Sequence, residues 1–318
     1  MEEEQELVEE QELVEEQELM DGHKSGYVAV VGRPNVGKST LINGFMDQKI
    51  AIVTPKPQTT RIRQLAIITE PEYQIIFMDT PGMMKPRHKL DEFMMDTALS
   101  SLVDAEAILW LVDVSTLPGA GDRAIAAQLS KVKTAVPILI AMNKSDLLPP
   151  ENVMPHSEAY RALLPTSPWL LFSALKGNGR DDLLAMIVDA LPEGPRYYPA
   201  DQITDLYLRD LAAELIREQI LLQLRDEIPY GTAVQVEQYK ERENGILYVG
   251  ATIFIERSSH KRIIIGKKGA QLRKIGQAAR KQIESMAGQK VYLDLWIKVV
   301  PKWRHDERAV RRMGYRAE

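Results

Sequence analysis

Residues 32 to 39 read Gly32-Arg-Pro-Asn-Val-Gly37-Lys38-Ser39, and the apolar run Tyr27-Val-Ala-Val-Val31 leads straight into them. A short apolar run ending at a glycine reads as a buried parallel strand. A glycine-rich turn between such a strand and a helix start lets backbone N–H groups wrap an anion, with the positive end of the helix behind them. The spacing G-x-x-x-x-G-K-S adds a lysine able to reach β- and γ-phosphates and a hydroxyl suited to Mg2+. A glycine-rich turn can be merely structural, but here both flanks are right. The expected phosphate contacts are Gly32, Asn35, Val36, Gly37, Lys38, Ser39 and Thr40.

The rest of the N-terminal half repeats the same alternation. Apolar runs recur at Gln74 to Met78, Ala107 to Val112, Ile138 to Met142 and Trp169 to Phe172, with helical stretches at Ser39 to Met46, Asp91 to Leu102, Gly121 to Lys131 and Asp181 to Ala190. Strands alternating with helices imply a doubly wound α/β sheet. The proline-rich stretch Leu191 to Pro199 breaks the pattern. The expected division is therefore an acidic extension over 1–24, a nucleotide-binding domain over 25–192, a linker over 193–200 and a second domain over 201–318. At 318 residues and 45% apolar content the chain can form two cores. It has no cysteine, so no disulfide or thiolate metal site is available. No run of about 18 apolar residues is present to span a bilayer, and the acidic start is unlike a secretory signal. A cytoplasmic location is expected.

Three further stretches follow strands. Asp79-Thr-Pro-Gly82 can hold Mg2+ through Asp79 and give the Gly82 N–H to a γ-phosphate. Asn143-Lys144-Ser145-Asp146 selects the base, because a carboxylate at the ring edge accepts from guanine N1–H and the 2-amino group, a donor pair adenine lacks. Asn143 would tie this loop to the phosphate loop, and Lys144 would lie along the purine plane. Ser173-Ala174-Leu175 would offer backbone N–H to guanine O6. The nucleotide expected is GTP or GDP with Mg2+. The polar loop Thr54-Pro-Lys-Pro-Gln-Thr59-Thr60-Arg61 can order when a threonine ligates Mg2+ beside the γ-phosphate and relax when that phosphate leaves. Thr60 is the preferred ligand, Thr59 the second choice.

Charge is segregated. Residues 1 to 20 hold ten Glu and no Lys or Arg, so a formal net charge of −5 leaves +5 on the remaining 298 residues; from Glu256 onward there are 17 Lys/Arg and 6 Asp/Glu. The acidic head repeats a hexamer whose leucines turn about 240° per repeat and form no stripe, so a solvated appendage is expected. In the basic region, Gly266-Lys267-Lys268-Gly269 precedes a helix with apolar residues at Leu272, Ile275, Ala279, Ile283 and Met286, then a strand over Val291 to Val299. Strand, short helix, Gly-x-x-Gly, helix, strand is the order of a KH core, here Leu247 to Val299, whose loop clamps about four nucleotides of RNA by their backbone. Gly266, Lys267, Lys268, Gly269, Arg273 and Lys274 are the expected RNA contacts. Trp296 is expected in the core. Trp303 and Arg304, with Arg308, Arg311, Arg312 and Arg316, are expected to form a basic C-terminal helix or arm.

The pairing of Gly-Arg-Pro-Asn-Val-Gly-Lys-Ser with Gln-Thr-Thr-Arg resembles the Era family of bacterial ribosome-assembly GTPases, and the likeness covers nearly all of the chain beyond the first 20 or so residues. The resemblance implies a P-loop GTPase domain followed by an α+β type II KH domain. It implies slow GTP hydrolysis, carried by Lys38, Thr60, Gly82 and Asn35, with small-subunit ribosomal RNA gripped near its 3′ end during small ribosomal subunit assembly. Many GTPases place a glutamine after Asp-x-x-Gly to orient water; here that position is Met83. Relatives sharing this gap and an asparagine like Asn35 use K+ in place of an arginine finger, so Asn35 is either a K+ ligand or a hydrogen-bonding group within its loop. A monomer is expected. The competing expectation is a membrane-associated regulatory G protein coupling growth to cell division, bound peripherally at the inner face of the cell membrane, although the tail lacks a clear apolar face and a lipidation motif. A tRNA-modifying relative would need a second catalytic site.

Overall fold

The computed structural model describes residues 22–132 and 135–316. The acidic repeat, expected as a solvated appendage, lies outside the described residues. The described chain packs into two compact units. The first comprises the residues up to Gln48 with Gln64–Thr80 and Leu99–Asp205; the second comprises Lys49–Arg63, Pro81–Ala98 and the chain from Leu206 onward.

The first unit is a six-stranded sheet in the order β2-β3-β1-β4-β5-β6: β1 (Lys24–Val31), β2 (Gln64–Thr69), β3 (Tyr73–Asp79), β4 (Ala107–Asp113), β5 (Ile138–Asn143) and β6 (Trp169–Leu171). All neighbours are parallel except the β2–β3 pair. The central strands read as unbroken apolar runs because both faces are covered: Val28 to Val31 and Ala107 to Val112 are all fully buried, Trp110 included. The covering helices are α1 (Lys38–Met46), α3 (Ala120–Leu129), α4 (Val153–Arg161) and α5 (Arg180–Ala190); α2 (Lys89–Ser100) has only its last two residues in this unit. The strand order reverses around β1, flanked by β3 and β4, and in open α/β sheets ligands bind beyond the strand ends at such a point. β2 and α4 were not expected: β2 adjoins a polar loop, and α4 carries Pro155.

The chain leaves the first unit after Asp205 rather than within 193–200. The stretch expected as a linker is bound along this unit. Ser25 and Gly194 exchange backbone hydrogen bonds with Pro192 and His23, and Ile67 N–H donates to Ile203 O. The Gln74 side chain accepts from Tyr197 and Tyr198 N–H and donates to Tyr198 O. These prolines fix an extended segment whose polar groups pair with a strand edge, so the compositional break precedes the mechanical one.

In the second unit α6 (Leu208–Gln223) leads into β7 (Thr232–Glu241), β8 (Leu247–Ile255), α7 (Ser258–Ile265), α8 (Ala270–Ala287), β9 (Val291–Val299) and α9 (Glu307–Arg312). The sheet order is β7-β8-β9, with β7–β8 antiparallel and β8–β9 parallel. The Asn244-Gly245 pair turns the hairpin, Gly245 at φ +73°. One face of the sheet, with Val249, Ala251, Ile253 and Leu293, packs on α6, α7 and α8 through Ile216, Ile220, Ile264, Ile275, Ala279 and Ile283. On the other face Phe254 and Ala233 are covered by Trp303, Val310, Met313 and Tyr315, together with Leu90 and Met94 from α2.

Trp303 is fully buried and its indole N–H donates to Gly231 O at 2.9 Å; of the helix or arm expected here, the structure has the helix, α9. The expectation that Trp296 is core is reversed. Trp296 is 64% exposed. Strand parity is the reason: Val291, Leu293, Leu295, Ile297 and Val299 alternate inward, which turns 296 outward.

Candidate nucleotide site and nucleic-acid groove

In the first unit the phosphate loop folds back on itself through two left-handed positions, Asn35 at φ 64° and Gly37 at φ +108°. A β-carbon at Gly37 would stand 2.2 Å from Asn143 Nδ2, so only glycine lets the base-reading loop approach. That approach is a hydrogen bond: Asn143 Nδ2–H donates to Val36 O at 2.7 Å. The same side chain's Oδ1 accepts from Lys144 N–H and from Ala174 N–H at 2.7 and 2.8 Å. One asparagine thus joins three loops, and the Ala174 amide expected to face the base is committed to holding Asn143. Leu175 beside it is largely exposed. Asn35 is exposed on the loop.

Lys38 is buried, with Nζ donating to Gly32 O and Arg33 O at 3.4 and 3.3 Å. Burial lowers its pKa to about 8, against the opposing pull of the Asp79 carboxylate. Ser39 Oγ–H donates to Asp79 Oδ2 at 2.8 Å, and Gln64 Nε2–H reaches the same oxygen at 3.4 Å. Thr80 Oγ1–H is anchored on Val30 O at 2.7 Å, which fixes the strand end carrying Asp79. A hydroxyl and a carboxylate this close form a hard oxygen set. They suit Mg2+, which takes one or two protein oxygens and fills its octahedron with water and phosphate.

The groups expected to read the base are positioned from neighbouring strand ends. Asp146 Oδ1 accepts from Ser173 Oγ–H at 2.6 Å, which links the two loops expected to frame the purine. Lys144, at φ 67°, pairs through Nζ with Asp113 Oδ2 at 2.5 Å. Burial opposes the Asp113 charge, but hydrogen bonds from Lys144 and Ser115 outweigh it and hold the carboxyl below the usual range. Asp113 at the end of β4 was missed by the sequence reading; its place at a strand terminus was the available signal. Arg33 was missed too: its guanidinium meets the buried Asp122 at 2.8 Å, and Asp122 in turn accepts from Gly119 N–H at the start of α3.

Thr60, Thr59 and Gly82 belong to the second unit. There the loop bearing the threonines is held by two fully buried arginines. Arg61 donates to Thr232 O at 2.6 Å and to Tyr230 O at 2.9 Å. Arg217, paired with Glu214, donates to the carbonyls of Gln58 and Thr59. Glu218 accepts from Lys49 Nζ–H and Val53 N–H at 2.5 and 3.1 Å. Gln58 bonds Asp91 at 2.8 Å, joining this loop to the segment that follows Gly82. Met83 is buried and serves packing.

The Gly266–Gly269 turn lies between α7 and α8, with Gly266, Lys268 and Gly269 at φ 71°, 53° and 78°. A cavity of about 380 Å3 opens beside it, lined by Gly269, Leu272, Arg273, Gly276, Gln277, Arg280, Tyr292, Leu293 and Leu295. Arg273 lines it and Lys274 does not. Gln277 and the β9 residues were not named as contacts from sequence; they enter because β9 is an edge strand beside α8. The exposed arginines of α9 face away from its packed Ala309 and Val310, so its apolar residues are consumed internally. Among the described residues no helix is long and apolar enough to cross a membrane.

Two family models match the chain: a 50S ribosome-binding GTPase over residues 27–144 and a KH domain over residues 227–304. GTPase Era of Halothermothrix orenii is 48% identical over 92% of this chain and 99% of its own length. GTPase Era of Ruminiclostridium cellulolyticum is 45% identical over 92% and 98%. A crystal structure of Era in complex with MgGDPNP and nucleotides 1506–1542 of 16S ribosomal RNA superposes with a TM-score of 0.90 at 40% identity, covering 93% of this chain and all of that one. An Aquifex aeolicus Era variant bound to GDP and AlF4− gives a TM-score of 0.89 at 40% identity over 92% of this chain. With the phosphate loop, the strand-end Asn143-Lys144-Ser145-Asp146 motif and the Gly-x-x-Gly groove all in one chain, and with identity sustained from end to end of its relatives, this protein belongs to the Era family of GTPases.

Proposed function

We propose that this GTPase is a monomeric switch that binds small-subunit ribosomal RNA near its 3′ end through the KH groove and acts in small ribosomal subunit assembly, with GTP and GDP setting its RNA-binding state. One observation carries the coupling. The loop bearing Thr60 is built into the RNA-binding unit, its backbone carbonyls held by Arg217 and its Arg61 side chain buried against Thr232 and Tyr230. A change at Thr60 therefore acts on the packing of α6 and β7 directly. In this reading Thr60 is a magnesium ligand of the GTP state and Gly82 gives its N–H to the γ-phosphate. Bound Mg2+ would neutralise charge on the β- and γ-phosphates, together with Lys38.

Ser39 and Asp79 would hold that ion. Lys38, kept dry by its loop, presents its ammonium with little solvent reorganisation. Asp146, fixed by Ser173, accepts from the guanine edge. Met83 stands where many GTPases place a water-orienting glutamine, so hydrolysis is slow. K+ at Asn35 would add the missing positive charge, and replacing K+ with Na+ should then lower the hydrolysis rate. RNA on the groove would be held mainly through its backbone by Lys267, Lys268 and Arg273.

The deciding measurement is the affinity of full-length protein for the 1506–1542 fragment, titrated with GDPNP and with GDP at one salt concentration. A difference of about tenfold or more, equivalent to ~1.4 kcal/mol, is expected. Equal affinities would sink the switch.

A further inference from the structure

The sheet of the second unit carries aromatic rings that neither core uses. On the face opposite α6 and α8, strand parity places Tyr248, Gly250, Thr252 and Phe254 of β8 beside Tyr292, Asp294, Trp296 and Lys298 of β9, pair by pair in register. The C-terminal segment covers the Phe254 end. The other end stays bare: Tyr292 is 53% and Trp296 64% exposed. Gly250 shapes the bare end. A β-carbon there would stand 3.1 Å from Tyr248 Cε1 and 3.3 Å from its hydroxyl, so the Tyr248 ring lies down over the glycine, and its hydroxyl donates to Asp294 Oδ2 at 3.3 Å. Tyr292 stacks on that ring at 5.9 Å and 15°. The Arg242 guanidinium sits 4.4 Å from one ring centre and 5.0 Å from the other. Trp296 lies two strand repeats beyond, ~13 Å along β9 at ~3.3 Å per residue.

We propose that this face is a second RNA subsite, where bases of a single strand leaving the Gly-x-x-Gly groove stack on Tyr292 and Trp296. The proposal rests on the reading of the groove as the RNA site. Three observations select RNA as the occupant. Tyr292 lines the groove and also belongs to the outer stack, so the two surfaces are continuous across β9, which is an edge strand. Stacking on exposed aromatic rings is how sheet faces hold single strands, at ~1–3 kcal/mol per base. Asp294, between the two rings in sequence and register, repels phosphate but accepts from base amino groups, which turns bases rather than backbone toward the sheet. Arg242 and Lys298 then flank the strand.

The test uses full-length protein and two probes: the 1506–1542 fragment and a tetranucleotide that fills the groove alone. Trp296→Ala should weaken binding of the long fragment by about 5- to 150-fold and leave the tetranucleotide unchanged. Trp296→Phe should retain most of the affinity. Of the four tryptophans, Trp110 and Trp303 are buried and Trp169 lies in β6 of the first unit, so the quenching of emission on binding the long fragment should vanish in Trp296→Phe while binding persists. The paired variant Lys267→Ala/Lys268→Ala should weaken both probes. If Trp296→Ala binds the long fragment as the unsubstituted chain does, while the lysine variant is impaired, the second subsite is wrong and the groove reading stands; a face that takes a protein would give this result. If neither probe binds the unsubstituted chain, both readings fall.

Discussion

The chain contains two glycine-bounded loops, each opening a helix and each carrying lysine, yet they are built on opposite physical terms. The loop ending at Gly37 is packed shut: a β-carbon at Gly37 would meet Asn143 at 2.2 Å, whereas at Gly269 it would meet nothing within 4 Å. Lys38 is buried and its charge is penalised; Lys267 and Lys268 extend from a turn with no buried residue. A small polyanion of fixed shape can be met by groups ordered in advance, whose desolvation is already borne by the fold. A polymer held by its backbone needs an open track and solvated charge. The two loops therefore differ in what substitution, pH and salt should do to them.

The largest effect is expected at the base edge. Asp146→Ala should remove most of the discrimination between GTP and ATP, on the order of 10⁴-fold, read by competition for the site; preserved discrimination would mean that another group reads guanine. Next, Gly37→Ala adds left-handed strain of about 1–2 kcal/mol to disruption of the Asn143 hydrogen bond to Val36, about 1–3 kcal/mol when buried. GDP affinity should fall on the order of 10²- to 10³-fold by calorimetry. Gly269→Ala bears the strain alone, so RNA affinity should change by no more than about thirtyfold. Similar losses in the two alanine variants would break the comparison.

The third prediction concerns pH. In the free protein Lys38 loses its proton near pH 8, and phosphate binds the protonated form. Below pH 8 GDP affinity should be flat with respect to this group. Above it, affinity should fall by up to tenfold per pH unit, with a proton taken up that shows as a buffer-dependent heat of binding. The smallest effect belongs to the open loop. Lys267→Ala/Lys268→Ala should lower RNA affinity several-fold and reduce the slope of log K against log salt by about 1.4, since each phosphate neutralised on a single strand contributes ~0.7. An unchanged slope would mean that these lysines do not meet phosphate.

The placement of the candidate nucleotide site was legible because its parts are local: each motif sits at the end of a strand that reads as an apolar run, and Gly32 to Ser39, Asp79, Asn143 to Asp146 and Ser173 to Leu175 all fall at the strand ends of one sheet edge. β9 was legible to its last residue for the same reason. Asp113, Arg33 and Gln277 were not, because each matters through a partner distant in sequence. Trp296 was readable in principle, since the alternation along β9 already turns it outward, but a large apolar side chain invites the assumption of burial.

By itself the sequence determined the two kinds of sheet, the guanine chemistry and the Gly-x-x-Gly turn, since these follow from periodicity and from residue types at fixed short spacing. Only the tertiary structure decided that residues 49–63 and 81–98 fold with the RNA-binding unit, that 193–205 stays with the nucleotide-binding one, and which tryptophan is core. Those outcomes depend on buried polar groups finding partners far along the chain. Arg61, Arg217 and Gln74 each satisfy carbonyls or amides more than 100 positions away, and no local pattern encodes which ones.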